Sequence, residues 1–75
     1  MIPYKNISGN SSVESYSHTE NSIVIKFKTQ TYYEYSTSKN TYSDITKMIS
    51  LAIAGAGLGA MLATKPYHPH DKTWR

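Results

Sequence analysis

The chain has 75 residues and no cysteine, and is 39 % hydrophobic and 17 % charged. That length allows one small domain, burying only about 60 % of the surface its unfolded form exposes. It has no disulfide to staple it, and it is too apolar for a disordered chain. The net charge of +3 permits contact with phosphates but falls short of the dense basic stripe of strong nucleic-acid binders.

Residues 1–10 are polar, hold Pro3 and Gly9 and show no period, so they are expected to form a flexible arm. No basic and apolar leader is legible at residues 1–5, which gives the sequons at Asn6 and Asn10 little weight and makes a cytoplasmic location the expectation. Ser12 to Tyr16 alternates weakly, as a first strand, and residues 18–21 read as a turn. Residues 22–28 alternate clearly, with Ile23, Ile25 and Phe27 on one face and Ser22, Val24, Lys26 and Lys28 on the other. Residues 31–36 are rich in tyrosine and threonine, which favour strands. There Tyr33 and Tyr35 share one face, Tyr32 and Glu34 the other, and the short Thr29-Gln30 link predicts an antiparallel hairpin.

The period then changes. Residues 38–41 supply an N-cap, Asp44 lies near the favourable end of the helix dipole, and Ile45, Met48, Ile49, Ala52 and Ile53 make the stripe of an amphipathic helix. Gly55 predicts its end and residues 56–63 a second, short helix. Pro66 and Pro69 close regular structure, leaving residues 71–75 as a polar tail that carries Trp74. The fold expected is α+β: a three-stranded antiparallel sheet with one long and one short helix packed on its apolar face.

The uncharged run 48–63 is shorter than the about 20 residues a membrane span needs. Gly55 to Ala60 matches the letters of a dinucleotide fingerprint, but it follows a helix where that fingerprint follows a strand. A glycine-rich link opening a helix still offers amides to a phosphate, and close backbone packing explains the same glycines. His68, His70 and Asp71 with His18 lack the ligand spacing of a metal site, so neither metal nor cofactor is expected. No catalytic constellation is present, and an enzyme is the least favoured class. If the helices cover the Ile/Phe face, Lys26, Lys28 and Tyr32 lie on an open sheet face, an arrangement suited to single-stranded nucleic acid. Tyr33 and Tyr35 are read both as core rings with outward hydroxyls and as ligand contacts.

Ser11 to Tyr16, Ile23 to Lys28, Tyr33-Glu34-Tyr35-Ser36, Gly57-Leu58-Gly59 and Lys65-Pro66-Tyr67 follow one another in the order strand, strand, Tyr-x-Tyr strand, helix, glycine-rich segment, tail. In this the chain resembles the KTSC domain, a short module found alone and at the C-terminus of some lysyl-tRNA synthetases. The resemblance covers about residues 11–68 and makes 11–75 a single such domain behind the arm 1–10. It implies RNA binding, the role usually suggested for that family.

The expectation is therefore a non-enzymatic module that binds a phosphate-bearing ligand, RNA or single-stranded DNA. Its candidate contacts are Lys26, Lys28, Tyr33 and Tyr35 on the sheet and Gly57, Gly59, Lys65, Tyr67 and His68 beyond it. The alternatives are an oligomeric, phage-type protein that sequesters a small nucleotide signal, and a purely structural or partner-binding protein. Self-association, most simply a dimer, is expected through the apolar run, with Leu58, Met61 and Leu62 at the contact.

Overall fold

The computed structural model describes residues 1–64 and 67–75. Among them five strands, β1 (Ile2–Pro3), β2 (Val13–His18), β3 (Ser22–Phe27), β4 (Tyr32–Ser36) and β5 (Lys72–Trp74), form one antiparallel sheet in chain order. Helices α1 (Tyr42–Ala54) and α2 (Leu58–Ala63) fall between β4 and β5. Residue alternation does most of the work in the middle of the sheet. Ile23 and Ile25 of β3 and Tyr35 of β4 turn inward with Val13 and Tyr16 of β2, and Ile45, Met48, Ala52 and Leu58 close over them. Phe27, Tyr33, Ile49, Leu51, Met61 and Leu62 are partly buried around this core.

Local chemistry sets the helix ends. The Thr41 hydroxyl accepts a hydrogen bond from the Asp44 amide at 3.1 Å, satisfying a first-turn donor. Gly55 ends α1 in the left-handed region at φ 76°, its N–H donating to the Leu51 and Ala52 carbonyls. Ile53 departs from the expected stripe: it is 54 % exposed, because it lies about 100° round the helix from Ala52 and falls off the edge of the face that Ile45, Met48 and Ala52 bury.

The sheet has five strands where three were expected. The two extra strands come from the chain's ends: β1 pairs with β2 (Ile2 opposite Tyr16, Pro3 opposite Ser15) and β5 pairs with β4 (Tyr32 opposite Trp74, Glu34 opposite Lys72). Two- and three-residue strands have no period to read, and Pro3 suits only an edge. Within the first ten residues Tyr4 is buried, its N–H donates to the Glu14 carbonyl, and its hydroxyl accepts from the Leu58 N–H at 3.3 Å. The Ile7 N–H donates to the Gly55 carbonyl at 2.8 Å, so this segment runs from the sheet edge across to the helix pair. Leu58, expected at a contact between copies, is fully buried in the core of the single chain. No helix of the described residues is long and apolar enough to cross a membrane.

Candidate functional site

The helices cover one face of the sheet and leave the other open. Register places one row on the open face that crosses every strand: Pro3, Ser15, Lys26, Tyr32 and Trp74. Strands about 4.8 Å apart make this row about 19 Å long. Its outer half is a column of rings capped by a cation. Tyr32 and Trp74 stack with centroids 5.4 Å apart and planes within 2°, and the Lys26 ammonium stands 5.7 Å from the Tyr32 centroid. Trp74 is on the edge strand and 42 % exposed, so the column ends at the sheet edge, where no further strand of the described residues pairs.

A bulge in β2 aims a carboxylate at the same cation. The register shifts between Val13 and Ser15, which turns Glu14 to within 3.4 Å of the Lys26 ammonium. Hydrogen bonding to Glu14 is the main reason the Lys26 ammonium is held above the usual lysine range. The next open-face row sets Val24 opposite Glu34 and Glu34 opposite Lys72, so this part of the face is nearly balanced in charge. Lys28 lies just past β3, in the turn that leads to β4, and is exposed; its N–H donates to the Ser12 carbonyl at 2.8 Å. Such a surface offers a flat ring to stack against and a few cations for anionic groups.

Tyr33 and Tyr35 lie on the covered face, away from Lys26. They stack on each other at 6.3 Å, and the His70 ring meets Tyr33 edge-on at 4.7 Å and Tyr35 at 6.4 Å. Burial, with the neighbouring Tyr33 hydroxyl second, pushes the Tyr35 phenol up to about 12.

No family profile, curated protein or solved structure matches this chain.

The other expected contacts gather on the helix side. Gly57 and His68 border an open cleft of about 550 Å³ with Asp44 and Lys47, where His68 Nδ1 is 3.8 Å from the Asp44 carboxylate. Gly57 and Gly59 also border a cleft of about 480 Å³ beneath Ser8, Asn10 and Ser11. In the glycine link the Leu58 N–H donates to the Tyr4 hydroxyl at 3.3 Å, and just before it the Ala56 N–H donates to the Leu51 carbonyl at 3.4 Å. A Cβ on Gly59 would lie 3.1 Å from the Ser11 hydroxyl oxygen, so that glycine serves close approach of α2 to the N-terminal segment. Tyr67 is exposed, and Lys65 lies outside the described residues. No three metal-ligating side chains cluster among the described residues.

Of the nine sequence candidates, the structure divides seven between two sides of the molecule. Lys26 is on the open face and Lys28 in the turn at its end; Tyr33 and Tyr35 are under the helices, and Gly57, Gly59 and His68 are at the helix pair. Sequence reasoning missed Trp74 as a site residue. The signal was faint: a Lys-Thr-Trp alternation at the end of a polar tail.

Proposed function

We propose that this chain is a non-enzymatic module that binds single-stranded nucleic acid, RNA or DNA, on the open face of its sheet. The observation that carries the reading is the Lys26–Tyr32–Trp74 column. Stacked aromatic rings on an open sheet hold unpaired bases with little regard for sequence, and nearby cations take up phosphates. Lys28, Lys72 and Arg75 are the further cations close to the column in sequence or register.

Fluorescence anisotropy of a labelled ten-nucleotide oligo(dT) or oligo(U) tests it. Binding is expected to prefer the single strand over a duplex of equal length. Removing a base-stacking ring costs about 1–3 kcal/mol, so Trp74→Ala is expected to weaken binding by about 5- to 150-fold, and Tyr32→Ala, which removes the ring that Trp74 stacks on, is expected to weaken it in the same direction. With at most four cations near the column, affinity should fall with log salt at a slope no steeper than about −3. Unchanged affinity in both variants, or no binding by folded wild-type protein, would refute the reading.

A further inference from the structure

We infer that Asn40 is a positioning residue: through the Pro69 carbonyl it docks the C-terminal segment and so sets Trp74 in the binding column. This rests on the reading of the open face as a nucleic-acid site.

Asn40 is the buried polar side chain among the described residues, at 9 % exposure. It sits in the turn between β4 and α1, where its N–H donates to the Ser36 carbonyl. Its Nδ2 donates to the Pro69 carbonyl at 2.7 Å, a contact spanning 29 residues of sequence. A buried amide without a partner is costly, so this bond is held firmly wherever the turn is formed.

From Pro69 the chain grips β4 on both faces. His70 packs edge-on against Tyr33 and Tyr35 beneath the sheet. The Asp71 N–H donates to the Glu34 carbonyl at 2.7 Å, and Lys72 to Trp74 then pair along β4. Trp74 emerges above the sheet against Tyr32. A three-residue edge strand has too few bonds to hold itself in place, so its position depends on the anchors that precede it. Asn40 supplies the anchor nearest the start of this run, and the sole tryptophan of the chain lies at its end.

That tryptophan makes the docking directly readable. In Asn40→Ala the Trp74 emission is expected to shift to longer wavelength and to become more accessible to acrylamide, while amide protection of β2 and β3 stays as in the wild type. Affinity for ten-nucleotide oligo(dT) is expected to fall by about the same factor as in Trp74→Ala, about 5- to 150-fold. In the Trp74→Ala background, Asn40→Ala should then add little, because both changes remove the same ring from the column. A merely structural role for Asn40 would instead give losses that add. Should Asn40→Ala fail to fold, His70→Ala tests the same docking from the other anchor, with the same emission shift and the same non-additivity expected. Unshifted emission in the folded variant, or additive losses, overturns the positioning role. A folded wild-type protein that binds no oligonucleotide overturns the binding reading and the site role with it, whereas an emission shift in that case still identifies the anchor.

Discussion

Replacing Gly55 by alanine tests how much of the fold depends on the N-terminal segment. Three costs add at this one position. An alanine held at φ 76° sits in the left-handed region, which costs about 1–2 kcal/mol for a residue with a Cβ. The new Cβ would overlap the Lys5 side chain and lie 3.3 Å from the Lys5 Cα, so the backbone of the segment must move. That movement pulls on the 2.8 Å bond from the Ile7 N–H to the Gly55 carbonyl, a bond of about 1 kcal/mol. The total is about 3 kcal/mol, against the about 4–11 kcal/mol expected for a domain of this size. A fall in melting temperature of about 12–24 °C follows. Gly9→Ala is the control. Its φ is 78°, but a Cβ there meets nothing within 4 Å, so only the backbone term of about 1–2 kcal/mol applies. Urea unfolding of both variants, followed by far-ultraviolet circular dichroism, measures the difference. If Gly55→Ala costs no more than Gly9→Ala, the contact between the segment and the helix end contributes nothing, and the reasoning fails.

Two other perturbations follow from single residues. The folded state holds the Tyr35 phenol at about 12, above the ordinary tyrosine value of about 10, so its contribution to stability is complete below pH 10 and is lost as the pH rises through 12. Tyr35→Phe should therefore lose less stability than the wild type between pH 10 and 12 in urea titrations, and parallel losses would refute this. Gln30 closes the β3–β4 hairpin at φ 68°, donating its N–H to the Phe27 carbonyl at 2.9 Å. Gln30→Gly relieves that strain and is expected to stabilise the protein by about 0.5–1 kcal/mol in thermal melts; a lower melting temperature would contradict it.

The strands and helix that sequence made legible are those whose side chains repeat long enough to show a period. Ile23, Ile25 and Phe27 announce β3, and Thr41, Asp44 and Gly55 mark the limits of α1 with ordinary capping chemistry. In β2 the bulge spoils the alternation: Val13 and Tyr16 are both buried although three positions apart, which is why the signal there is weak. The edge strands were invisible because long-range pairing, and not local pattern, makes them strands. The same distinction runs through the site. Lys26 and Tyr32 sit on adjacent strands joined by a tight turn, so their shared face was readable from alternation. Trp74 reaches that face only because Asn40, Glu34 and the Tyr33–Tyr35 pair hold a distant segment against β4. Leu58 misled for a related reason: an apolar run has no label distinguishing the side that packs on the sheet from one that meets a neighbour.

The insertion of both helices between two neighbouring strands has a consequence for the order in which the sheet is assembled. Turns of three and four residues join β2 to β3 and β3 to β4, whereas 35 residues separate β4 from β5. Closing the longer loop costs about 2 kcal/mol more chain entropy than closing a four-residue turn. The central hairpins, with Lys26 and Tyr32 side by side, therefore have the lower entropic cost of closure, and the strand bearing Trp74 is expected to pair after them. On that order the aromatic column is expected to be completed late in folding, a partly folded chain holding its cation and its first ring before it has its second.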